Sequence, residues 1–109
     1  MLEIDPAFRE KLAASTGAAQ VVVRSADVDA AVRGLRRART ALFQIPHPEE
    51  PEDPLPSYAS AVAADETSAR FRFDIADAEA YTGLIDQVAD AIIAALEAEG
   101  VDGHLAAIT

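Results

Sequence analysis

The chain has 109 residues, no cysteine, 19 acidic side chains against nine lysines and arginines, and a formal charge of −10. That length suits one domain with its own core, and the absence of cysteine excludes a disulfide framework, a thiolate metal site and a cysteine nucleophile. Residues 1–45 carry five acids and seven bases, whereas residues 46–109 carry fourteen acids and only Arg70 and Arg72 as bases; so acidic a surface repels nucleic acid and anionic membrane and favours cationic partners.

Met1-Leu2-Glu3-Ile4-Asp5 lacks a basic start followed by an apolar run, so no secretory signal is expected there. The apolar runs are too short to span a bilayer, and a cytoplasmic location is expected. A short N-terminal helix is predicted within residues 1–17. Asp5 caps it, Pro6 suits its first position, Phe8 and Leu12 form its buried stripe, and Gly17 ends it. Ala19–Arg24 reads as a strand, because Val21, Val22 and Val23 are stiff at χ1 and fit a pleated surface. Asp27 caps a second helix. There Val28, Ala31, Val32, Leu35 and Ala38 recur at helical spacing, with Arg33, Arg36 and Arg37 on the other side. Residues 46–57 form an acidic, proline-rich loop, expected to be extended. Tyr58–Ala64 and Ala69–Ile75 read as a hairpin whose second strand alternates Phe71, Phe73 and Ile75 with Arg70, Arg72 and Asp74. The longest helix is predicted over about 78–99, capped near Asp77 and ended by Gly100, with Tyr81, Leu84, Ile85, Val88, Ile92, Ala95 and Leu96 in its stripe. Val101–Ile108 supplies a last strand. Large side chains are few among many alanines, so the expected core rests on Phe8, Leu12, Leu35, Phe43, Phe71, Phe73, Leu84, Ile85, Ile92 and Leu96.

A helix followed by β-α-β-β-α-β is the order of a single α+β domain, residues 1–109, of the ferredoxin-like, split β-α-β type. The expectation is a four-stranded antiparallel sheet in spatial order 4-1-3-2, two helices on one face, and the extra N-terminal helix closing an edge or covering the open face. The alanine-rich first hairpin strand is its weakest part. This topology is expected to gather Asp27, Asp29, Asp65, Glu66, Glu97, Glu99 and Asp102 at one pole. Helix dipoles favour Asp27 and Asp29 there and oppose Glu97 and Glu99. At the other pole Arg36, Arg37 and Arg39 are expected beside Glu49, Glu50, Glu52 and Asp53, which neutralise them in cis.

No catalytic constellation emerges. His47 and His104 are the only histidines and are expected far apart, Asp27-Val28-Asp29 lacks the later residues of a calcium loop, and the five glycines are scattered. No metal and no cofactor are expected. RNA-recognition modules share the expected topology but stack bases on open-face aromatics. Here Phe71 and Phe73 share one face and Arg70 and Arg72 the other, so nucleic acid is not an expected partner.

Two functional readings remain. The first is a non-enzymatic acidic module that docks on a basic surface of a partner protein through the seven carboxylates, as bacterial immunity proteins, antitoxins and nucleic-acid mimics do. In the second, the element order is similar to that of dimeric α+β barrel proteins, which include cofactor-independent monooxygenases and small ligand sensors. That resemblance implies a ligand cavity between sheet and helices, lined by Tyr58, Arg72, Tyr81 and His104. It also implies a homodimer through the open sheet face, where Val22 stands unless the N-terminal helix covers it.

Overall fold

A computed structural model describes residues 1–15, 17–53, 60–75 and 83–108. Its elements are β1 (Leu2–Ile4), α1 (Phe8–Ala14), β2 (Gly17–Ser25), α2 (Val28–Leu42), β3 (Ala61–Ala64), β4 (Ser68–Ile75), α3 (Ile85–Ala98) and β5 (Gly103–Ile108). The protein is an α+β fold with a five-stranded mixed sheet and three helices.

The sheet order is β1-β5-β2-β4-β3. This differs from the expected four-stranded antiparallel sheet in order 4-1-3-2, because a fifth strand, β1, runs parallel to β5 with Glu3 opposite His104. Three residues are too few to show a period, so β1 forms only because β5 offers a free edge. The Asp5 amide then donates to the Leu105 carbonyl at 2.9 Å and ties the start of α1 to the same strand. β2 lies antiparallel between β4 and β5, and β3 pairs with β4 from Ala61↔Arg72 to Ala64↔Ala69. The alanine-rich β3 has low strand propensity and is templated by its neighbour. Its expected residues 58 and 59, and the expected helical start over 78–82 with its Asp77 cap, lie outside the described residues.

Helix ends follow local chemistry. The Asp27 carboxylate caps α2 by accepting from the Ala30 amide at 3.1 Å. α1 starts later than expected, at Phe8, with Ala7 in the cap position and no side-chain cap; the Asp5 carboxylate accepts from the Ala7 amide at 3.1 Å in the turn ahead of it. α1 ends with Ser15 in the C-terminal cap position, so that Gly17 opens β2 instead of closing α1. α3 has no side-chain cap at Leu84 and ends at Gly100, whose φ of 65° suits glycine.

Pairing imposes one alternation on the whole sheet. Val21, Val23, Phe71, Phe73, Leu105 and Ala107 point inward and are almost fully buried with Leu35, Leu42, Val88, Ile92 and Leu96. The Phe71 and Phe73 rings sit 5.0 Å apart. Phe8 and Leu12 belong to this same core and Val22 does not. The N-terminal helix therefore packs beside β5 and α3 on the helical face and covers neither Val22 nor the open face. The physical reason is its amphipathic stripe, reinforced on the outside by Arg9, which reaches Asp86 at 2.9 Å and Asp90 at 2.5 Å on α3. Phe43, Leu84 and Ile85 are only half-buried. α2 continues to Leu42, which takes the core position that the spacing 35, 38, 42 selects, and Phe43 falls outside it beneath the Arg39 guanidinium at 5.3 Å.

Gly103 faces Ser25 across the β2–β5 pair, and a Cβ there would stand 2.1 Å from the Arg24 carbonyl oxygen. Gly103→Ala is expected to lower stability by about 3 kcal/mol through backbone displacement, measured as the shift in urea midpoint at unchanged slope. Gly83→Ala, which meets open space, is the matched control and should leave the midpoint nearly unmoved.

Candidate functional site

One end of the molecule is built from the turns β2–α2, β3–β4 and α3–β5. Ser25 joins them. Its amide donates to the Thr67 carbonyl at 3.2 Å, its hydroxyl donates to the Asp102 carbonyl at 2.6 Å, and it accepts from the Asp27 amide at 3.1 Å. The serine hydroxyl two residues before an aspartate cap was a legible turn signal in the sequence, but the linkage to residues 67 and 102 was not.

These bonds bring the turns that carry Asp27, Asp65 and Asp102 together, and Arg33 of α2 meets Glu99 of α3 at 3.8 Å. The seven carboxylates have different local roles. Asp27 is occupied as the cap of α2. Asp65 accepts from the Thr67 and Ser68 amides, each at 2.8 Å, and from the Ser68 hydroxyl at 3.0 Å. The Thr67 amide, followed by Ser68, holds its carboxyl below the ordinary value of 3.8. Asp102 contacts the Met1 amine. Asp29, Glu66 and Glu97 are exposed and make no side-chain hydrogen bond or ion pair among the described residues. The pole thus has a hydrogen-bonded frame and three free carboxylates.

The other pole differs from expectation. Among the described residues no ion pair joins Arg36, Arg37 or Arg39 to Glu49, Glu50, Glu52 or Asp53. Arg39 instead donates to the Ser60 hydroxyl at 2.6 Å and covers Phe43. Over residues 47–53 the acidic segment curls on itself rather than extending, and its expected residues 54–57 lie outside the described residues. The His47 amide donates to the Asp53 carbonyl and the Asp53 amide to the Glu50 carbonyl, both at 2.9 Å, while His47 Nδ1 accepts from the Glu49 amide at 3.1 Å. Backbone amides satisfied within the turn fix its shape without the arginines.

Of the four residues expected to line a ligand cavity, Tyr58 and Tyr81 lie outside the described residues. Arg72 and His104 project from the sheet face away from the helices, and they stand opposite Gln20 and Arg24, four residues apart along β2. They do not converge, and the space between sheet and helices beneath β2 and β4 is filled by the buried core. No three histidine or carboxylate side chains come together as a metal site, and no helix is long and apolar enough to cross a membrane, among the described residues.

No protein-family model, no curated protein and no solved structure matches the chain.

Because the folded carboxyl of Asp65 is held below its ordinary value, its contribution to stability is present above that value and is lost as pH falls through the folded value. Asp65→Ala should therefore be less stable than wild type at neutral pH. The gap between the two should close as pH is lowered from the ordinary carboxylate range, followed by thermal unfolding; a gap that stays constant with pH would contradict the role of the ionised carboxylate.

Proposed function

We propose that the chain is a non-enzymatic acidic protein-binding module whose acidic pole docks on a basic surface of a partner protein, in an inhibitor, immunity or antitoxin-like role in the cytoplasm. The observation that supports this reading is the state of Asp29, Glu66 and Glu97, which are exposed and unpaired among the described residues. Beside them the hydrogen bonds of Asp27 and Asp65 stiffen the turns that carry Asp29 and Glu66. Carboxylates on a pre-formed frame lose little freedom on binding, and they accelerate encounter with a cationic surface and fix its register. Glu97 sits in the last turn of α3, where the helix dipole opposes negative charge, so a cationic partner would relieve that local repulsion.

The fold reading that accompanies this is a ferredoxin-like sandwich formed by β5-β2-β4-β3, with β1 added at one edge; the antiparallel pairing of β2 with both neighbours supports it. The alternative, a dimeric α+β barrel that binds a small molecule or acts without a cofactor, would pair two open sheet faces. Isologous packing of that face gathers two copies of Arg24, Arg70 and Arg72 in one interface, with only Glu3 and Asp74 of each copy as acids on these strands, which disfavours it.

The test is binding to an immobilised arginine-rich peptide at low and moderate salt. Asp29→Asn/Glu66→Gln/Glu97→Gln should weaken binding about tenfold at low salt, with most of the loss in association rate. Equal affinities of the variant and wild type would sink the assignment of the pole.

A further inference from the structure

The helices pack on one face of the sheet, and among the described residues the other face carries a charge opposite to that of the chain. Following the register, the rows across this face are Glu3-His104-Arg24, then Ala106-Val22-Arg70-Ala63, then Ile108-Gln20-Arg72-Ala61. Arg24, Arg70 and Arg72 are exposed and make no ion pair among the described residues. Acids on these strands occur only at two corners of the face, at Glu3 in β1 and Asp74 in β4. Val22, at 8 % exposure, is nearly buried among its neighbours at the centre, and Ile108, at 45 %, offers apolar surface at the edge.

We propose that this face is a docking surface for an extended acidic segment of a partner protein, in which carboxylates alternate with apolar residues. The surface is separate from the acidic pole and does not rest on the role proposed for that pole. Arg24 stands opposite Ser68, so Arg24, Arg70 and Arg72 lie two residues apart in level and span ~14 Å along the strands, at ~3.4 Å per residue. Alternate side chains of an extended peptide recur at ~7 Å, which matches that spacing. Each guanidinium can take a carboxylate in a bidentate pair, with apolar side chains of the same segment laid on Ala106 and Ile108. A second copy of the chain fits less well, since face-to-face pairing brings six arginines together with four carboxylates, Glu3 and Asp74 of each copy, that lie at the corners of the face. Nucleic acid fits less well than peptide, because these rows hold no Phe, Tyr or Trp and the −10 charge of the chain repels a long polyanion.

The experiment is fluorescence anisotropy with a labelled peptide in which glutamate alternates with valine, at low salt. An RNA oligonucleotide of equal charge serves as competitor. Arg70→Gln/Arg72→Gln should weaken peptide binding about tenfold. Arg36→Gln/Arg37→Gln, which removes the same charge from the exposed side of α2, should leave it unchanged. Asp29→Asn/Glu66→Gln/Glu97→Gln should bind the peptide at least as tightly as wild type, so that failure here and failure at the acidic pole read separately. Three results overturn the proposal: no saturable peptide binding, equal weakening by the two arginine pairs, or displacement of the peptide by RNA at lower concentration than by unlabelled peptide.

Discussion

Val21, Val22 and Val23 lie in β2, the central strand of the sheet, and their alternation divides the molecule. Val21 and Val23 are fully buried against the helices, and Val22 belongs to the other face. Because β4 and β5 are both antiparallel to β2 in continuous register, the choice made by this triplet is imposed on them. Phe71, Phe73, Leu105 and Ala107 must then enter the core, and Arg70, Arg72, His104 and Ala106 must leave it. A slip of one residue would bury arginines against leucines, which no ion pair on that side could offset. The location of charge on the sheet is thus a consequence of where the apolar side chains must go.

The rest of the charge is sorted by local bonding. Arg9, Lys11 and Arg33 are engaged with Asp86 and Asp90, Asp5 and Glu99. Asp27 and Asp65 are held by backbone amides. Among the charges left unpaired in the described residues, Asp29, Glu66 and Glu97 lie at one end, Arg24, Arg70 and Arg72 on the sheet face away from the helices with Glu3 at its corner, Arg36 and Arg37 on α2, and Glu49, Glu50, Glu52 and Asp53 in the segment after it. Within about a Debye length of its surface the molecule acts on an approaching partner as a polyanion, while a partner in contact meets a surface of either sign. Net charge therefore governs the approach of a partner, and the register of the strands governs what it touches.

Exposed ion pairs contribute little to stability here, since Arg9, Lys11 and Arg33 meet their carboxylates near water. Stability rests on the alanine-rich interface of helices and sheet, where small side chains permit close approach and few large ones fill space. Loss of a fully buried Phe71 or Leu96 would leave a cavity that the neighbouring alanines cannot fill.

Features carried by local chemistry were legible in the sequence. The Asp27 cap, the strand alternation over residues 69–75, the stripes of α1 and α2 and the glycine that ends α3 each depend on residues within a few positions of one another. So did the grouping of acidic turns, once an order of elements was assumed. Features that depend on distant partners were not legible. β1 needs the free edge of β5, Leu42 displaces Phe43 because α2 runs on to Leu42 over the core, and α1 chooses the helical face through Arg9 and the Phe8–Leu12 stripe. The acidic segment around residues 47–53 bonds to itself and leaves Arg36 and Arg37 unneutralised. The sequence by itself determined the α+β class, the alternation of the strands and the overall acidity, because propensity, period and composition are local quantities. The fifth strand, the side on which α1 packs and the place of Arg24 beside Arg70 and Arg72 came from the folded chain, because edge pairing and register between strands depend on surfaces that exist only after the chain has folded.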